Sequence, residues 1–400
     1  MSGLGVLRLP RSVEFGWGAR ACIPGALASL GRRVFVVVDP FLASSAPFRW
    51  LIKEIEATGV TASVHDAVEA ELPVERVQAS ADAARSFAPD VILGYGGGSA
   101  LDAAKLVALL LAHGGPLSLY YGENAVPGPI MPLVAVPTTA GTGSEVTPVA
   151  VVADTGRELK VGISSPHLIP TVAVVDPELS AGAPASVTAY AGIDALVHAI
   201  ESFTARPLEA AWTTARPVFI GRNALSDPLS LEAIRLIGDA LETAVARPDD
   251  RSAREDMAHG SLIAGMAFGS TGTHLSHALQ YPIGALTHTP HGLGTGLMLP
   301  YVLAACRPAV SDRLAEIAVA LGGDPDPGAA IDRVTTIGRN VGLPASLSEL
   351  GIARSDLGHI AELALASRRL IAIAPVDVDY RLLLDILDAA WLGYPHLLNQ

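Results

Sequence analysis

An alternation that runs through the first half of the chain and then stops limits its fold more than any other feature. Residues 34–38 (VFVVV), 90–94 (DVILG), 133–137 (LVAVP) and 172–176 (VAVVD) are short, apolar and rich in β-branched side chains, and each ends in or runs into Pro, Gly or Asp. Continuous runs of this kind suit parallel strands buried on both faces. Between them lie amphipathic stretches with helical spacing, at 77–87 and 102–112. Strand and helix in turn predict a doubly wound α/β domain. After SAGAP at 180–184 the texture changes to Ala-, Leu- and Glu-rich stretches of helical period, at 187–203, 228–246, 251–268, 311–321 and 379–392. The reading is an α/β domain over residues 1–182 followed by an all-α domain over 183–400.

Four hundred residues suffice for two such domains, because a single core rarely grows past about 250–300 residues. Half of them are hydrophobic and 17% are charged, which is material for a packed core rather than a disordered chain. Mean hydropathy is positive, yet no apolar run approaches the roughly 20 residues of a spanning helix. The longest, 106–112, stops at His113-Gly114-Gly115, and the first ten residues do not read as a signal peptide. Two cysteines, Cys22 and Cys306, make no disulfide framework, and a reducing cytoplasm is the expected location. A net charge of −13 repels phosphate backbones, so nucleic acid is not an expected partner, and without a spanning apolar run neither is a membrane.

Two loops fall where open α/β sheets bind ligands, beyond the carboxyl ends of strands. GGGSALDAAK, 96–105, follows one strand and opens a helix. Its glycines let backbone N–H groups approach a phosphate, and the helix N-terminus favours the charge. Ser99 and Asp102 also fit a capping box, so a tight turn with a well-capped helix explains the same residues. PTTAGTGSEVT, 137–147, follows another strand, and a solvated polar loop is its plain alternative. Two such loops in one domain favour a Rossmann-like dinucleotide site, although G-x-G-x-x-G itself is absent.

The second half carries GIDALVHAIES, 192–202, in which Asp194 and His198 are four apart and share a helix face. A surface hydrogen-bonded pair would look the same. It also carries THLSHALQYPIGALTHTPHGLG, 273–294, with His274, His277, His288 and His291 inside 18 residues. Three imidazoles with one carboxylate form a coordination set for Zn²⁺ or Fe²⁺. Pro282, Gly284, Pro290 and Gly292 are expected to break the segment into a helix and a following turn. His274 and His288 are the members expected to cap helices or stay exposed.

These motifs, in this order, resemble the iron-containing (group III) alcohol dehydrogenase family, from about Arg11 to Trp391 and including GLPASLSELGI at 342–352. The resemblance implies Asp194, His198, His277 and His291 as metal ligands, the interval from His277 to His291 being the family's. It implies Asp39 beside the adenosine ribose and Gly97, Gly98, Ser99 and Asp102 at the pyrophosphate loop. Thr138, Thr139, Thr142, Thr147, Lys160 and Leu179 would line the cofactor elsewhere. The implied cofactors are NAD(H), preferred over NADP(H) because Asp39 would repel a 2′-phosphate, and one divalent metal, Fe²⁺ with Zn²⁺ possible. A homodimer or larger homo-oligomer is usual among such proteins. Two departures stand out. Tyr281 occupies the position of a second histidine near the nicotinamide, and Leu72-Pro73 replaces an Asn-Pro pair. An insertion at 206–226, with Tyr281-Pro282-Ile283, partially resembles the hydroxyacid–oxoacid transhydrogenase branch.

The implied activity is hydride transfer between NAD and a primary alcohol or hydroxyacid, or aldehyde reduction in reverse, in a dry cleft between the domains. No covalent nucleophile is needed, and Tyr281 is the candidate proton-relay side chain beside the metal centre. The alternatives are a transhydrogenase that retains its nicotinamide, and a catalytically silent nucleotide-binding or assembly protein, against which all four ligand positions are intact.

Overall fold

The computed structural model describes residues 5–154, 156–157, 159–208 and 216–393. They form two units, residues 8–183 and residues 184–393 with 5–7, so the first described residues belong with the helical part. Residues 209–215 of the insertion lie outside the described residues.

In the first unit the strands are β1 (Ser12–Phe15), β2 (Arg33–Val38), β3 (Thr61–His65), β4 (Val91–Gly96), β5 (Gly122–Glu123), β6 (Leu133–Pro137), β7 (Val149–Val152), β8 (Val161–Ser164) and β9 (Val172–Val175). Six of them make a parallel sheet in the order β1-β9-β6-β4-β2-β3. A small sheet, β5-β8-β7, stands beside it in the same unit. The helices are α1 (Ile23–Leu30), α2 (Pro40–Ala43), α3 (Ala46–Ala57), α4 (Val74–Phe87), α5 (Gly98–His113) and α6 (Pro177–Ala181). The period-two geometry of β2 explains its unbroken apolar run. Val34, Val36 and Val38 enter the core shared with Ile23, Leu27, Phe48 and Leu51, from α1 and α3. Phe35 and Val37 enter the opposite core, shared with Val77, Ala81, Leu106 and Leu110, from α4 and α5.

Chain order in the sheet reverses between β2 and β4. From β2 the chain moves outward to β3, then returns to the other side of β2 and proceeds through β6 to β9. That switch point, beyond the strands' carboxyl ends, is where such sheets bind ligands. Asp39 follows β2 and Gly97 follows β4, one on each side of it.

The second unit consists of α7 (Ala185–Thr204), α8 (Asp227–Ala246), α9 (Arg251–Thr271), α10 (Leu275–Thr287), α11 (His291–Ala320), α12 (Pro327–Asn340), α13 (Leu357–Leu365), α14 (Arg368–Ala372) and α15 (Tyr380–Leu392). α7 packs against α8, α9 and α11 and is buried along most of its length. The expected helix-then-turn over the histidine segment needs correcting. Pro282 lies inside α10 without ending it, and His291 is the first residue of α11 rather than part of a turn. A proline interrupts only the bond its missing N–H would have made. Helix α11 also begins well before the expected 311, and a non-helical Val310 kinks it. By length and composition α11 could cross a bilayer, but 78% of its most apolar stretch is buried inside the unit, as a core helix is.

Candidate metal centre and nucleotide loops

The middle of α7 brings Asp194 and His198 to one buried face, as their spacing requires. His277 comes from the first turn of α10 and His291 from the first residue of α11. Glycine at 292 allows α11 to start here, because a Cβ would stand 2.0 Å from the Tyr190 carbonyl oxygen on α7. Ligand atoms of Asp194, His277 and His291 all lie within 4.8 Å of one another. Asp194 Oδ1 is 3.9 Å from Nε2 of His277 and 3.8 Å from Nε2 of His291. Its Oδ2 is 3.7 Å from Nε2 of His198. The four side chains therefore converge from three helices. The His198 ring stacks on Phe268 at 4.2 Å and on His277 at 4.9 Å, which fixes its plane.

Burial pushes the Asp194 carboxyl up, but His198, His291, His277 and the Thr295 hydroxyl outweigh it and hold the group below its ordinary range. Burial, with His198, drives His277 well below the ordinary imidazole value against the pull of Asp194. A neutral imidazole and an ionised carboxylate are the protonation states that bind cations.

Glu201, to which the sequence assigns no role, organises this cluster. It is fully buried on α7. It accepts from the His277 Nδ1–H at 2.8 Å and from the backbone N–H groups of His274 and Ser276 at 2.7 and 2.6 Å. The proton on Nδ1 leaves Nε2 as the lone-pair atom facing Asp194, the usual way a carboxylate orients a ligating histidine. Thr295 donates to Asp194 Oδ1 at 2.8 Å and pins the carboxylate in the same way. A signal was available, since Glu201 lies seven residues after Asp194 on the same helix face.

The other two histidines cap helix α10, as expected. His274 is its N-cap, buried, with Nδ1 accepting from Leu275 N and Nε2 bonded to Thr204 Oγ1 at 2.9 Å. His288 is exposed at the C-cap in the left-handed region, φ 54°. The Tyr281 ring stacks beside His291, centroids 6.2 Å apart.

In the α/β unit the two polar loops lie against each other. Thr138 N donates to the Gly96 carbonyl at 3.0 Å. A Cβ on Gly97 would meet Thr139 Cγ2 at 3.6 Å, and one on Gly98 would meet Thr142 Cγ2 at 2.8 Å. Gly97 is the N-cap of α5 and supplies no side-chain cap, and Ser99 is exposed in the first turn. The capping box expected from Ser99 and Asp102 is not formed. Asp102 turns inward and accepts from Ser144 Oγ at 2.6 Å and Val151 N at 2.9 Å, holding the second loop from behind. Lys105, fully buried, donates to the carbonyls of Thr147 and Val149 at 2.9 and 2.8 Å. Asp39 caps α2 through Phe41 N at 2.8 Å and lies beside Gly96. Lys160 pairs with Glu71, and Leu179 packs into the core under α1 and α3. Asp102, Thr147, Lys160 and Leu179 thus stand behind or beside the loops formed by Gly97, Gly98, Ser99, Thr138, Thr139 and Thr142. Leu72 is buried in the left-handed region, φ 54°, a conformation that costs leucine more than it would asparagine.

A parallel α/β unit with polar loops at its switch point, and a helical unit with a one-carboxylate, three-imidazole cluster in which all but His291 are buried, fit an alcohol-dehydrogenase type of oxidoreductase. The family model for iron-containing alcohol dehydrogenase matches residues 10–177, and that for the C-terminal part of the Fe-containing family matches 188–391. The chain belongs to the iron-containing alcohol dehydrogenase family. It is 34% identical over 402 residues to long-chain-alcohol dehydrogenase 1 of Geobacillus thermodenitrificans, covering 97% of this chain and 98% of that one. The crystal structure of a 1,3-propanediol oxidoreductase superposes with a TM-score of 0.91 at 30% identity, covering 97% of this chain and all of that one. A sulfoacetaldehyde reductase from Bifidobacterium kashiwanohense, solved in complex with NAD+, superposes with a TM-score of 0.84 at 28% identity, covering 97% of this chain and 98% of that one.

Proposed function

We propose that this chain is an NAD(H)-dependent dehydrogenase or aldehyde reductase that works on a primary alcohol or hydroxyacid through one divalent metal, Fe²⁺ in the first place and Zn²⁺ as an alternative. One observation carries the reading. His277 Nε2 is buried with no hydrogen-bond partner, and it faces the Asp194 carboxylate. A buried polar atom left unpaired is costly, and a cation held by Asp194, His198, His277 and His291 satisfies it. The loops at the switch point support a dinucleotide, with Gly97, Gly98 and Ser99 for the pyrophosphate and Asp39 for the ribose. Thr138, Thr139 and Thr142 flank them. Asp102 and Thr147 brace the loops, while Lys160 and Leu179 are assigned on the family match.

A cation held by Asp194, His198, His277 and His291 would supply Lewis-acid stabilisation of negative charge on a substrate oxygen, and a dinucleotide on the switch-point loops would supply the hydride acceptor. The chain's own contribution is orientation. Glu201 keeps the proton on His277 Nδ1, Thr295 fixes Asp194, and Phe268 fixes His198. Tyr281, beside His291, is placed to donate or receive a proton, although a phenol with an ordinary pKa near 10 is a poorer relay than imidazole. The test is metal content after purification. His277→Ala and His291→Ala should lose the metal and the turnover, while His274→Ala and His288→Ala keep the metal. A metal-free His288→Ala protein would show that the ligands are wrongly assigned.

The second reading, a transhydrogenase, rests on the partial resemblance of the insertion at 206–226 and of Tyr281-Pro282-Ile283 to that branch of the family. Turnover of a hydroxyacid with an oxoacid acceptor and no added NAD would identify it.

A further inference from the structure

The helical unit holds a cation that the activity proposed above does not use. Arg369, half-buried, lies in α14, which packs against α10, the helix of His277 and Tyr281. Its guanidinium carbon is 4.6 Å from the centroid of the Phe219 ring. Phe219 comes from the insertion and is buried. Ile220 N and Gly221 N donate to the carbonyls of Ser270 and Thr271 at 2.9 and 3.0 Å, fastening this stretch to the end of α9. A Cβ on Gly272 would lie 3.0 Å from Phe219 Cβ and 2.7 Å from Ile373 Cδ1, so the insertion and the end of α14 close on the residues that lead into α10. The Arg369 charge lies close enough to act on His277. Arg206, Arg222, Arg313, Arg333 and Arg354 of this unit each pair with an acid. Among the described residues, no carboxylate lies within ion-pairing distance of Arg369.

A guanidinium seated on an aromatic face and lacking an acid partner is suited to bidentate capture of a carboxylate. We propose that Arg369, backed by Phe219, is a specificity residue that binds a carboxylate on the substrate, selecting hydroxyacids and their oxoacids over neutral alcohols. The inference rests on the dehydrogenase reading above.

The test compares kcat/KM of the metal-loaded enzyme for 4-hydroxybutanoate and for 1-butanol, in wild type, Arg369→Ala and Arg369→Lys. Arg369→Ala should lower kcat/KM for the hydroxyacid by roughly ten- to a hundredfold, chiefly through KM, as loss of a charge-assisted hydrogen bond does. The value for 1-butanol should stay within about twofold, and lysine should restore part of the loss. Calorimetric titration of the metal- and NADH-loaded protein with succinate, an unreactive dicarboxylate, should show binding that is weakened in Arg369→Ala. Equal losses on both substrates, or succinate binding indifferent to Arg369, would overturn the proposal. A wild type that oxidises 1-butanol but not 4-hydroxybutanoate sinks it and leaves the dehydrogenase reading standing. A wild type that oxidises neither and holds no metal sinks that reading too.

Discussion

Glu201 shows how much a single buried side chain decides at this site. Its carboxylate serves the His277 imidazole and the first N–H groups of α10 together, so the ligand's orientation and the start of the helix that carries it share one anchor. Glu201→Gln keeps the volume but sets an amide N–H group against donors. Metal affinity, measured by competition with a chelator, should fall by roughly ten- to a hundredfold, as loss of an orienting carboxylate does. An unchanged affinity would reduce Glu201 to a packing role. Residue type and spacing marked the histidine cluster and its two capping members, while the four proposed ligand positions came from the family resemblance, which the convergence of those side chains supports. Glu201 showed only its helix face, seven residues after Asp194, and its role stayed hidden because its partners stand more than seventy positions away in the chain, on the residues that begin α10. The Ser99/Asp102 capping box was misread for a related reason. A local pattern lost to a tertiary one when Asp102 found Ser144 and Val151.

At the scale of elements, strands buried on both faces announced themselves, whereas the edge strands β1 and β3 did not. Their residues are half-buried or exposed, SVEF and TASVH, and carry no continuous apolar run. The short turn after β2 leads to a prediction. Asp39 gives one oxygen to Phe41 N and stands at the switch point with Gly96 beside it. A carboxylate near an adenosine 2′-phosphate costs about 1 kcal/mol or more at 4 Å, a roughly several-fold to hundredfold preference for NAD over NADP. Comparing kcat/KM for both cofactors, Asp39→Gly should narrow that ratio, and an unchanged ratio would remove Asp39 as the selector. The second loop yields a pH dependence. Burial pushes the Glu145 carboxyl up to about 7 from an ordinary 4.5, against its own backbone amide and Lys105. Between those values the folded protein holds a proton that the unfolded chain has released, so this group makes stability fall as pH rises through that window. Glu145→Gln lacks the proton and the slope. Its melting temperature should gain on the wild type's between about pH 5 and about pH 8, and parallel curves would contradict the assignment.

For the whole molecule, the change of texture near residue 183 carried the architecture, because a parallel sheet and a helical bundle bury their apolar side chains with different periods. What composition did not reveal was the long core helix α11, whose two prolines and run of glycines disguise its period. That helix presents His291 to the cluster, so its packing positions one of the four proposed ligands. The account stands on a metal held by Asp194, His198, His277 and His291 and required for hydride transfer to NAD. It is tested most directly on anaerobically purified protein, by elemental analysis together with NADH formation from NAD and a panel of primary alcohols and hydroxyacids, before and after chelation. The account predicts about one divalent metal per chain, activity that disappears on chelation and returns with Fe²⁺, and neither metal nor activity in Asp194→Ala. Undiminished NADH formation by metal-free protein would contradict it.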